Sequence, residues 1–248
     1  MFVYQLSAIW RKIFRICWYA SAMSVTRTDT ATDSGPRPLR ADARENVLRL
    51  LAAARDVFIE QGAGAPLDEI ARRAGIGIAT LYRRFPDRQA LIRAVTLDAM
   101  RRSADDARRA AATEPDPFNA LVRYMHDAID TRTAAVIPAL LGEIDFNDEE
   151  VARGREEGAA TITALTDAAK RAGALRADVT SADIGMLVVR MTRPLPGQFP
   201  AELSNGLNHR HLTLLIDGLR SASREPVLPG PALDMGDLAG PLPSQAGS

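Results

Sequence analysis

The chain has 248 residues, 46% of them hydrophobic and 25% charged, which is the composition of a globular protein long enough for one large domain or two small ones. A disulfide scaffold is excluded because the single cysteine, Cys17, has no partner within the chain, and the composition is neither collagen-like nor that of a wholly disordered chain. The formal charge of zero hides an asymmetry, since residues 36–102 hold thirteen basic and eight acidic groups while residues 103–248 hold fourteen and twenty-one, so the first stretch suits a polyanion and the second does not.

Residues 1–22 hold both tryptophans and six of the thirteen aromatics and no acidic residue. Arg11, Lys12 and Arg15 interrupt the stretch, so it is no membrane span, and its order of apolar, basic, apolar is not that of a signal peptide. A surface-lying amphipathic helix is one reading. The preferred expectation is a leader outside the native protein, with the start at Met23, followed to residue 40 by a flexible polar arm carrying Arg27, Arg37 and Arg40, as in a cytoplasmic protein.

From Ala41 the apolar residues Val47, Leu51, Ala54 and Phe58 recur at helical spacing, predicting a helix of some twenty residues ended by Gly62. Pro66 is suited to the start of a short helix over Leu67–Ala74. Gly75-Ile76-Gly77 separates it from a second short helix, Ile78–Phe85, and Pro86-Asp87 opens a longer one that buries Leu91, Ile92, Val95 and Ala99. The two short helices form a helix-turn-helix by physical criteria. Ile70, Ala71, Ile76, Leu81 and Phe85 are spaced to make its core, Ala71 is small where the helices meet, and Gly75 lets the chain reverse. Ile78, Ala79, Thr80, Tyr82, Arg83 and Arg84 are left on the outer surface of the second helix, a piece of the right size for the major groove of DNA.

Beyond Pro115, helices are expected over Phe118–Asp130, Thr133–Phe146 with a kink at Pro138, Asp148–Arg171, Ser181–Thr192 and His209–Ser221. No stretch alternates as a strand does, so the whole chain reads as all-α. The helix around Ile184–Met191 is apolar almost all round, and the last one carries Leu212, Leu215, Ile216 and Leu219 as a single stripe. Such a pair suits association with a second copy, and equally suits packing within one chain. The tail from Glu225, with five prolines and four glycines, is expected to be disordered.

Three segments together resemble the TetR family of bacterial transcriptional regulators: Ala53-Ala54-Arg55-Asp56-Val57-Phe58 with Gly62, Leu67-Asp68-Glu69-Ile70-Ala71 with Gly75-Ile76, and Thr80-Leu81-Tyr82-Arg83-Arg84-Phe85-Pro86-Asp87-Arg88. The resemblance implies a DNA-binding head over residues 41–88 and a helical ligand-binding and dimerisation domain over 89–224. It further implies a homodimer, paired through the last two helices, that reads an inverted repeat and is released by a small molecule. Carried over by position, Thr80 and Tyr82 would touch phosphates, Ile78, Ala79 and Arg83 would face bases or backbone with Arg84 beside them, Arg88 would clamp a phosphate, and Arg44 would contribute from the first helix. Pro66 stands where the family commonly has Ser or Thr, leaving that contact to backbone N–H groups from Leu67 onward, and Gly77 stands where Ser or Ala is usual.

No enzyme is expected and no cofactor. His209-x-His211 is a weak metal signal, the acidic run from Glu143 to Glu150 lacks the spacing of a calcium loop, and the Gly-x-Gly pairs follow helices rather than strands, so no metal site is assigned. Candidate linings for an effector pocket are Met125, His126, Ile129, Leu140, Phe146, Met186, Arg190 and Met191. An activator or ligand-independent regulator is the alternative reading, and a membrane-associated helical module through residues 1–22 a weaker one.

Overall fold

The computed structural model describes residues 39–193, 201–220, 228–230 and 232–233, with side chains from Glu45 onward and, in the last helix, from Glu202. The expected leader, the arm and most of the tail lie outside the described residues, as does the side chain of Arg44. Among the described residues there are nine helices in chain order: α1 Leu39–Gln61, α2 Leu67–Ala74, α3 Ile78–Arg84, α4 Arg88–Thr113, α5 Pro117–Thr131, α6 Thr133–Leu140, α7 Glu149–Arg171, α8 Ser181–Thr192 and α9 Ala201–Leu219. A lone antiparallel bridge joins Leu175 to Arg220.

Side chains at the helix starts satisfy N–H groups that no helical carbonyl can reach. Asp87 accepts from the Ala90 N–H at 2.7 Å, Asp116 from that of Asn119 at 2.8 Å, and Asp148 from those of Glu150 and Val151 at 3.0 Å. Thr180 and Asp183 cap α8 reciprocally. At the turn after α2, Gly75 takes φ 68°, a left-handed conformation costly for other residues, and Ile76 N–H returns to Ala71 O at 3.0 Å.

The buried apolar side chains fall into two clusters that share α4. The first joins α1, α2, α3 and the first half of α4, with Phe58, Ile70, Leu81 and Leu91 fully buried. The second joins Ala107 and Ala110 of α4 to α5, α7, α8 and α9 around Phe118, Met125 and Ile184. The boundary expected after residue 88 therefore opens a helix that belongs to both cores. Helix α4 also comes close to α7 at Gly154, where a Cβ would lie 3.3 Å from Met100 Sδ.

Several bounds differ from the sequence expectation. Helix α6 ends at Leu140 rather than running to Phe146, because the chain turns at Gly142 and Glu143 N–H bonds back to Leu140 O at 2.8 Å. Helix α9 begins at Ala201, eight residues before the expected His209, since its first two turns are mostly polar and carry little periodic signal. Within the tail, Leu228 N–H donates to Asp178 at 3.1 Å, and the same carboxylate is gripped by Arg176, which holds it well below the usual carboxylate range.

Candidate nucleic-acid interface

Helices α2 and α3 pack through Ile70, Ala71, Ala74 and Leu81, all buried, with Phe85 closing the end of α3 and Ile76 half-buried in the turn. Burying those side chains fixes what α3 shows outward. Ile78 is 40% and Tyr82 49% exposed, Ala79, Arg83 and Arg84 are exposed, and Thr80 is half-buried. Arg83 donates to the Thr80 hydroxyl at 3.0 Å, which fans the guanidinium along the helix surface. Seven residues span about 10 Å along the axis, a length that the major groove of B-DNA admits.

The other basic residues of the head are differently engaged. Glu69 accepts from Arg72 and from Arg73, each at 2.8 Å, and these bonds hold its carboxyl down to about 2, while Arg73 also reaches Glu60. Much of the positive charge of α2 is thus neutralised by its own first turn, whereas Arg83 and Arg84 form no ion pair among the described residues.

Two of the expected contact residues also serve the packing of the head. Leu67 is buried in the first core, so what it offers at the α2 start is the backbone N–H expected of it, where Pro66 supplies no side-chain cap. Arg88 docks its Nη1 on Ala63 O at 2.7 Å and Ala65 O at 2.6 Å, tying the start of α4 to the loop before α2. The geometry of Arg88 is that of a brace, because one guanidinium nitrogen, Nη1, donates to two carbonyls of the loop between α1 and α2. Arg88→Ala is expected to cost about 1.5–3 kcal/mol of stability, the usual worth of hydrogen bonds from a charged donor. A melting curve checks it, and an unchanged melt with weakened DNA binding would restore the phosphate role.

The expected effector residues are not gathered around one space. Leu140 lies in the first core and Met125 and Ile129 in the second, all fully buried. Phe146 sits in the loop after α6, half-buried under Arg155 at 5.9 Å, Met186 and Met191 are half-buried on α8, and Arg190 is exposed instead of facing inward. A cleft of about 600 Å³ that sequence reasoning missed lies between the first turns of α4 and the α6–α7 loop, lined by Asp87, Arg93, Thr96, Glu143, Ile144 and Asp148 among others. Arg93 crosses it to Asp148 at 2.9 Å and Glu150 at 2.6 Å, and Gln89 to Glu143 at 2.9 Å. Its two walls are more than forty residues apart in sequence, so no local spacing signals it.

A trihelical head with an exposed basic α3, followed by an all-helical second half, defines a helix-turn-helix DNA-binding regulator. The family model for bacterial regulatory proteins of the tetR family matches residues 50–95, and that for the SbtR-like transcriptional regulator C-terminal domain matches residues 116–221. The chain therefore belongs to the TetR family of bacterial transcriptional regulators. The crystal structure of a TetR transcription regulatory protein from Mycobacterium vanbaalenii is 39% identical over 74% of this chain and 99% of that one, with a TM-score of 0.54. The regulator SCO0520 from Streptomyces coelicolor is 33% identical over 69% and 97%, with a TM-score of 0.50. LfrR from Mycobacterium smegmatis, solved in complex with proflavine, shares the fold at 21% identity over 69% and 96%, with a TM-score of 0.52. No protein of curated function matches the chain. Among the described residues no helix is long and apolar enough to cross a membrane.

Proposed function

We propose that the protein is a transcriptional repressor that binds an inverted-repeat operator as a homodimer and leaves it on binding a small molecule. The observation that carries the reading is the outward face of α3, where Ile78, Tyr82, Arg83 and Arg84 stand exposed over a fully buried Leu81. Arginines can serve phosphates or guanine edges, the tyrosine hydroxyl can serve a phosphate, and Ile78 can meet a thymine methyl. For the dimer, Leu203 and Leu214 of α9 are 43% and 64% exposed and share one side of that helix with half-buried Leu207. An apolar stripe of this kind favours a second copy. For the ligand, Met125, His126 and Ile129 of α5 and Met186 of α8 remain the proposed contacts, reached by separating helices that pack in the free chain; LfrR, with the same fold, holds proflavine.

Selection of binding sites from random DNA with the purified chain tests the reading, with an inverted repeat as the expected result. Affinity should fall roughly 10³–10⁵-fold between about 50 and 200 mM salt if some six to ten phosphates are contacted. Asymmetric single sites or a flat salt response would overturn it.

A further inference from the structure

Helices α5 and α9 meet at a pair of histidines outside the DNA-binding head, one of which, His126, is also a proposed ligand contact. His126 Nδ1 and His209 Nδ1 are 2.7 Å apart, and the rings are 11° from parallel with centroids 4.9 Å apart. Faces in contact would keep their atoms about 3.5–4.0 Å apart, so the rings meet edge to edge, nitrogen to nitrogen. His209 Nε2 lies 2.8 Å from Asp130 Oδ1, which also accepts from Asn205 Nδ2 at 3.2 Å. His126 and Asp130 are one turn apart on α5, Asn205 and His209 one turn apart on α9.

A carboxylate oxygen only accepts, so His209 carries its proton on Nε2. The contact between the two Nδ1 atoms then needs one proton between them: from His126 when both rings are neutral, and from whichever ring is the cation when the pair holds one positive charge. With a proton on each Nδ1, two N–H groups face each other and two positive charges stand side by side. We propose that His126 and His209 form a proton-operated latch between α5 and α9, shut while the pair shares one proton and opened when each Nδ1 carries its own.

The surrounding charges agree with acid as the opening direction. Burial and then the neighbouring His209 push His126 below the ordinary imidazole value, against the pull of Asp130 and Asp127. Asp127 is partly offset by Arg109 of α4 at 4.0 Å and Arg123 of α5 at 3.8 Å. Burial would raise Asp130, but hydrogen bonds from His209 and Asn205 outweigh it and keep this carboxyl lowered, so it stays ionised through the histidine range. A base whose folded value is depressed contributes stability above its unfolded value, which is lost as pH falls below it.

Melting curves of the full chain from about pH 7.5 to about pH 5, where imidazoles titrate, test the latch. Wild type should lose about 2–4 °C more over that interval than His126→Gln or His209→Gln, which cannot take the second proton. In wild type, the ring-proton signal missing from His126→Gln should titrate below the ordinary imidazole range, and removing His209 should move it upward. Equal pH slopes in wild type and both variants, or ordinary titration of His126 in wild type, would overturn the latch. Neither readout requires DNA, so the failure of either is distinct from a failure to bind an operator.

Discussion

Phe85→Ala is expected to unfold the DNA-binding head, while Tyr82→Ala three residues earlier leaves it folded and weakens operator binding. Phe85 is 9% exposed and, as the extended residue that caps α3, turns back into the first core; Tyr82 is 49% exposed on the helix itself. Truncating a buried phenylalanine costs about 3–5 kcal/mol through lost transfer free energy and the cavity left behind, a large share of the stability of any domain. Truncating an exposed tyrosine costs little in stability and removes a ring and hydroxyl from the proposed DNA-binding face. Thermal melts and mobility shifts on the two variants, with Arg83→Ala as a third, decide the matter. Equal destabilisation of all three would mean that the faces of α3 are reversed.

The second large effect concerns pairing. Leu214→Glu together with Leu203→Glu should convert a dimer into a folded monomer, because neither leucine belongs to the core while both stand on the exposed side of α9. A monomer engages one half-site at a time and forfeits the effective concentration that links the two heads, commonly worth about 10²–10⁴ in avidity. Sedimentation velocity at micromolar protein reads the first effect and operator titration the second. A wild-type chain that sediments as a monomer, or a double variant that remains dimeric, would remove α9 from the interface.

Much of the head was legible in the sequence because its signals are local. The bounds of α2 follow from Pro66 before it and Gly75 after it, and the inward set of Ile70, Ala71, Leu81 and Phe85 follows from helical spacing alone. The outward set of α3 then follows by subtraction. What stayed hidden depends on partners distant in sequence. Leu140 looks like lining of the second half, yet α6 folds it, with Val136, into the first core. The carbonyls of Ala63 and Ala65 that hold Arg88 Nη1 lie more than twenty positions away in sequence, and Arg190 sits in a helix apolar almost all round, which leaves its side unspecified. In sequence His209 pairs with His211, two positions on, whereas its partner in space is His126, 83 positions away.

The sharing of α4 by both cores makes that helix a mechanical lever. Its 26 residues give a rod of roughly 39 Å at about 1.5 Å per residue, seated at one end among Leu91, Ile92 and Val95 with the head and at the other at Ala107 and Ala110 with the second half. A rod of that length tilted by about 10° about its far end would carry the head through roughly 7 Å. Successive major grooves on one face of DNA are about 34–36 Å apart, so two heads displaced in opposite senses by such a tilt would miss their half-sites by an appreciable part of a helical turn. The cleft beside the first turns of α4 lies at the head end of that rod, where Arg93 ties it to Asp148 and Glu150 at the start of α7 and so holds the swinging end.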